Sequence, residues 1–466
     1  MTAGAASGAR PARPARSARS TPSATGTSVR IGAGQGFMGE DPALMQAVLA
    51  DGVDYIVCES LAERTMGLLE HARQRDETAG FAADLADRID VVAEDVFAGR
   101  TRFITNAGGV NPIAAQRAVL ARLRERGYHG RKIGLVVGDA VDPEHIDPVP
   151  AGRVLSATAY LGAAGIVEAL ERGADIVITG RVADACLFLG PLIHEHRWAF
   201  DDWDRLAAGI VVGHLLECSA QSTGGNYSGD WWNTVDPWRA GLPIAEVTAD
   251  GRATITKPAG TAGRVSFDTV REQLLYEVHD PQRYMTPDVV VDMTSVTLAD
   301  HGDDRVAVSG ARGEPRPATL KAIAFSEGGF AGEATLTYAW PDALEKVTFV
   351  LDLVRRESEL RGFAVDSWCA EYFGACGFGG PTVDVEARPS EPPEVVGRLA
   401  WHTADLATAQ SVSALFRTVA LTGPPGLQGI GRRAAPSPPE PLIAIDDFFV
   451  DRDVVEAGVR VHVEEV

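Results

Sequence analysis

Residues that could move a proton cluster in one short segment, 213–219 (GHLLECS). His214, Glu217 and Cys218 stand at i, i+3 and i+4, which places them on one face of a helix. A carboxylate beside an imidazole fixes its tautomer and can raise its pKa, as a general acid–base catalyst requires. A satisfied pair inside a core fits these residues equally well. The His-x-x-Glu spacing also suits half of a metal site, yet no second half is legible, so no metal is predicted. Cys218 has no activating base besides His214, which makes covalent catalysis the weaker reading.

Binding groups lie elsewhere in the chain. In residues 106–112 (NAGGVNP), Gly108 and Gly109 follow a strand and precede a Pro-started helix. Their amides could face an anion or oxyanion, with Asn106 as a further donor; a tight turn capped by Asn111 is the alternative. Thr223, Gly224 and Gly225 make a similar turn. Tyr227, Trp231, Trp232 and Trp238 follow it and would wall an apolar pocket or pack a hinge. Lys257 precedes another Gly-rich turn, where it would reach a phosphate or carboxylate or simply meet solvent. Gly34, Gly36 and Gly39 meet a dinucleotide-binding spacing beside bulky Phe37 and Met38. A plain or anion-binding turn is preferred there. No cofactor is predicted, with nucleotide and metal kept as minor alternatives.

The elements that must position these residues are legible as alternation. Short β-rich runs at 29–33, 54–59, 102–106, 132–139 and 174–181 are separated by helix-like stretches at 42–50, 61–75, 111–126 and 155–172. Continuous apolar runs between helices predict βαβ units and a buried parallel sheet. Two helices follow, near 184–196 and 202–220. After residue 241 strand-like pieces dominate, interrupted by a helix at 342–362. Pro-rich loops are expected at 388–394 and 423–441. The expected organisation is a disordered basic tail (1–28), a Rossmann-like α/β domain (29–240) and an α+β domain (241–466). In an open parallel sheet, ligands bind beyond the C-terminal strand ends. Those ends deliver Glu59, Asn106, Gly108, Gly109, Asp139, Arg181 and Asp184.

Charge narrows the partners. The 466 residues carry 43 Lys+Arg against 64 Asp+Glu, a formal charge of −21 that disfavours nucleic acid and anionic membrane surfaces. Residues 1–28 contain four arginines and no acid, so the rest is more acidic still. No apolar run is long enough to cross a bilayer. Five cysteines without a C-x-x-C pair suit a reducing compartment, and a cytoplasmic homo-oligomer is expected.

Longer motifs add a resemblance. LAERTMGLL (61–69), ITNAGGVNP (104–112), AYLGAAGIVEALERGADIVITGRVADACL (159–187), AAGIVVGHLLECSAQSTGGN (207–226), TKPAGTAG (256–263) and QLLYEVHDPQRYMTPDVVVD (273–292) resemble the acyclic terpene utilisation protein A (AtuA) family. The resemblance spans about residues 30 to 460. It implies a place in terpene catabolism through branched acyl-CoA intermediates, or a variant of it in specialised metabolism. Many relatives carry a further small ferredoxin-like domain at the C-terminus. This chain ends before one, so that role is expected to be absent or supplied in trans. The resulting expectation is a lyase or hydratase acting on a branched acyl thioester or related carboxylate, either free or linked to CoA or a carrier. Asp139, His214 and Glu217 would move protons. Asn106, Gly108, Gly109, Arg181, Asp184, Thr223, Gly224, Gly225 and Lys257 would hold substrate. A non-catalytic carrier- or partner-binding role and a thioester or lactone hydrolase are the alternatives.

Overall fold

Four- to seven-residue apolar runs, almost entirely buried, build the centre of the molecule. The computed structural model describes residues 28–233, 236–374, 392–430 and 437–466. The basic tail up to residue 27, most of the Pro-rich 388–394 stretch and part of 423–441 lie outside them. The chain first runs β1 (Val29–Gln35), α1 (Pro42–Asp51), β2 (Tyr55–Cys58), α2 (Glu63–Arg75), α3 (Leu85–Phe97) and β3 (Arg102–Thr105). Then come α4 (Pro112–Glu125), β4 (Lys132–Val137), β5 (Val154–Ala159), α5 (Ala164–Glu171), β6 (Ile176–Thr179), α6 (Asp184–His196) and α7 (Trp203–Glu217). β7 (Ile244–Val247), β8 (Ala253–Thr256), α8 (Phe267–Leu275), β9 (Tyr284–Met285), β10 (Val290–Asp292), β11 (Thr297–Asp300), β12 (Val306–Ser309) and β13 (Arg312–Glu314) follow. The last part is β14 (Thr319–Ala339), α9 (Ala343–Leu360), β15 (Ser367–Phe373), β16 (Glu394–Thr403), α10 (Leu406–Thr422), β17 (Leu427–Ile430), β18 (Glu440–Asp451), α11 (Arg452–Glu456) and β19 (Arg460–Glu465).

β1, β2, β3, β6 and β4 lie side by side and pair in parallel. These are the five strands expected from the sequence. β7, β8, β12 and β11 extend the sheet antiparallel beyond β1, and β19 pairs antiparallel with β4 at the other edge. The expected parallel sheet is therefore the middle of a mixed ten-stranded one. Strands from beyond residue 241 thus share a sheet with β1.

An expected helix takes another form. Residues 155–172 read as a single helix, but Val154–Ala159 is extended and α5 begins only at Ala164. Partners distant in sequence decide this. Ala159 N–H donates to the Asp139 carbonyl at 2.7 Å, and Tyr160 N–H to the Lys321 carbonyl at 2.8 Å. Tertiary pairing overrides the Ala-rich helix propensity.

Two units emerge. One comprises the described residues up to 149 together with 156–324 and 446–466, including the ten-stranded sheet. The other comprises 150–155 and 325–445. In the latter, β14 pairs antiparallel with β16 over residues 330–339, and β16 with β15. α9 and α10 bury Val347, Leu351 and Phe416 with Leu399 and Trp401 of β16.

Candidate active site

α6 begins without a side-chain cap, because Ala183 stands at its N-cap and offers no oxygen. Cys186 N–H turns back to the Ala183 carbonyl at 2.8 Å. The amides of Asp184 and Ala185 have no acceptor among the described residues. α7 crosses this first turn at Gly213. A Cβ there would stand 2.3 Å from the Ala185 carbonyl oxygen, so only glycine permits the approach. The next residue is His214.

His214 and Glu217 open, with Asp184, Ala185 and Cys186, on a cavity of about 710 Å³ inside the first unit. Such a volume suits a small organic ligand. Tyr284, Met285, Pro287, Pro317, Leu320 and Phe449 supply much of its apolar wall. His214 Nδ1 lies 3.0 Å from Glu217 Oε1, and the Tyr284 ring sits 5.7 Å from the imidazole. His214 is 1% exposed and Glu217 9%. Nevertheless, His214 Nε2 and Glu217 Oε2 have no hydrogen-bond partner among the described residues. Buried polar atoms are seldom left so, and each calls for an explanation. When Nδ1–H donates to the carboxylate, Nε2 carries the free lone pair.

Beneath the cavity the ends of the parallel strands are tied together. Asn106 Nδ2 donates to Glu59 Oε1 at 3.0 Å, and its Oδ1 accepts from Ser60 N–H at 2.8 Å. Arg181, 1% exposed, donates to the Leu61 carbonyl, the Val182 carbonyl at 2.9 Å and Asp184. Its guanidinium lies over the Tyr160 ring, 4.4 Å from the centroid. Tyr160 in turn donates to Glu63, which also holds Lys321 at 2.6 Å. Burial raises the carboxyls of Glu59 and Asp184 above the usual range, against the opposing pull of Arg181. Neighbouring Glu217 pushes both further in the same direction. More carboxyls than cations share this buried place, so it favours holding protons.

The other residues singled out by sequence are satisfied within the scaffold. Gly108 N–H donates to the Thr179 carbonyl at 3.1 Å and Gly109 N–H to the Asn106 carbonyl at 3.1 Å. The amides expected to hold an oxyanion are thus already used. Asp139 accepts from Arg181 N–H at 2.8 Å and does not line the cavity; burial lifts its carboxyl to about 6. Thr223 and Gly225 both donate to the Ala220 carbonyl, and Gly224 donates to that of Gln221. Lys257 is held by the Thr261 carbonyl at 2.8 Å and Asp304 at 3.0 Å, away from the cavity. At the first Gly-rich turn, Gly36 N–H is taken by Glu40 and Gly39 N–H by Asp84, at 2.8 Å each. Two carboxylates there oppose a phosphate. Cys218 borders a separate hollow of about 300 Å³ with Phe37 and Tyr276, and burial pushes its thiol up.

Tyr160, Cys186, Tyr284 and Lys321 join the cavity without having been singled out. The first three fall within the long motifs at 159–187 and 273–292, but no spacing rule links those segments. Cys186 hydrogen-bonds to buried Asp288, and burial raises its thiol. Among the described residues, no group of three His, Cys, Asp or Glu side chains could hold a metal ion.

The sequence model of the acyclic terpene utilisation family protein AtuA matches residues 29–461. No curated protein and no solved structure matches the chain.

Proposed function

Starting from a chain that belongs to the acyclic terpene utilisation family AtuA, we propose an enzyme that adds or removes water across a branched, isoprenoid-type acyl thioester. The observation that carries this reading is the unpartnered Nε2 of His214 on an apolar cavity, with Nδ1 anchored on Glu217. In hydration, Nε2 takes a proton from water as the water oxygen bonds to the β-carbon of an enoyl chain. The electrons of the double bond move to the α-carbon, which receives a proton from Asp184. Burial keeps that carboxyl protonated more readily than usual, as an acid requires. Elimination runs through the same atoms in reverse. A thioester or lactone hydrolase would need a nucleophile or an activated water; Cys218 lies outside the cavity, and the Cys186 thiol inside it is pushed up by burial and hydrogen-bonded to Asp288.

A panel of branched enoyl and 3-hydroxyacyl thioesters tests the reading. The chain should interconvert at least one pair, and His214→Gln should lose that turnover. Failure to turn over any member, with the chain binding them unchanged, would favour the non-catalytic carrier- or partner-binding role.

A further inference from the structure

The cavity has backbone hydrogen-bond donors but, among the described residues, no Arg or Lys without a carboxylate beside it. Asp184 and Ala185, at the uncapped first turn of α6, line it, and their amides have no acceptor among the described residues. Two buried side-chain atoms on the same cavity, His214 Nε2 and Glu217 Oε2, likewise lack partners. Among the described residues, each Arg or Lys near it stands within 4.0 Å of a carboxylate. Arg181 is sealed below against two carbonyls and Asp184. Lys321 contacts Glu63 at 2.6 Å and Asp447 at 3.5 Å. Arg283 stands 4.0 Å from Glu314. The carboxylates of Asp184, Glu217, Glu277 and Asp280 line the same space.

Resting on the reading that this cavity is the substrate site, we infer that it takes an uncharged carbonyl group and rejects the corresponding free acid. The carbonyl oxygen of a thioester or ester sits on the Asp184 and Ala185 amides, where backbone donors and the helix dipole stabilise partial negative charge. A carboxylate there would carry a full charge beside Glu217, the carboxylate that anchors His214, in a poorly solvated place where each cation already has a carboxylate beside it. This separates the thioester from the related carboxylate that the family resemblance left open, and it takes Arg181 out of the residues expected to hold substrate.

Isothermal titration of the full chain with one branched acyl chain of terpene length, offered as the N-acetylcysteamine thioester, the methyl ester and the free acid, tests the inference. The thioester and ester should bind alike, and the acid at least roughly tenfold more weakly at pH 7.5. Glu217→Gln should narrow that gap by raising affinity for the acid. Glu277→Gln, also on the cavity, should act in the same direction and serves if the first variant fails to fold. An acid that binds as tightly as its thioester overturns the inference while leaving the cavity as the site. Thioester binding that ignores Met285→Trp on the cavity wall overturns the site reading itself. If no form binds, both fall.

Discussion

The cavity at the start of α6 and the Gly-rich turns at the strand ends contain the same chemistry in opposite states. Around Gly36, Gly108 and Gly224, amides point at carbonyls or carboxylates already in place. At the cavity, two amides, one imidazole nitrogen and one carboxylate oxygen have no partner among the described residues. Residue type is thus a poor guide to function by itself; what matters is whether the fold has already satisfied the group. A satisfied polar group holds the scaffold, whereas an orphaned one beside a cavity is available to a ligand.

The largest effect should separate the two regions by activity. His214→Gln is expected to lower kcat/KM by about 10²–10⁴, while changing the unfolding free energy by less than ~1.5 kcal/mol. Steady-state kinetics with urea unfolding reads both; full turnover in this variant would erase the distinction. Gly108→Ala should show the mirror image. Its Cβ would stand 2.4 Å from the Thr179 carbonyl oxygen, which costs about 2–4 kcal/mol of stability. Turnover per folded molecule should stay near wild type, and a selective loss of activity would return Gly108 to the site.

Asp139 sharpens the comparison through pH. Its native carboxyl is lifted from the ordinary 3.8 to about 6, so the native state binds the proton more tightly than the unfolded chain. The stabilising contribution is full below about pH 4 and is lost as pH rises through about 6. Asp139→Asn, which cannot ionise, should therefore gain on wild type by up to ~3 kcal/mol between pH 4 and pH 7. Paired urea titrations across that window measure it; a constant difference would show that Asp139 is not buried as an acid. The smallest effect is expected at Lys257. Lys257→Met loses the contacts with Asp304 and Thr261, costing about 1–2 kcal/mol, and should leave ligand affinity unchanged. A tenfold weaker ligand would place Lys257 at the site instead.

Much of the scaffold was legible in the sequence. β2 (YIVC) and β6 (IVIT) are continuous apolar runs because both faces of a central parallel strand are covered. Asn111 and Pro112 mark the start of α4 because a side-chain acceptor and a missing N–H suit a helix N-terminus. The pairing of His214 with Glu217 followed from helical spacing, since residues i and i+3 share a face. Val154–Ala159 escaped because its partners, Asp139 and Lys321, are remote in sequence.

What the sequence determined by itself is local: which runs are strands, where helices begin, and that an imidazole meets a carboxylate. Only the tertiary structure decided which polar groups remain unsatisfied. That property depends on neighbours brought from distant segments, such as Thr179 beneath Gly108, Glu40 at Gly36 and Ala185 against Gly213. Burial then gives those choices energetic weight, because a polar group without water or a partner is costly unless a ligand completes it.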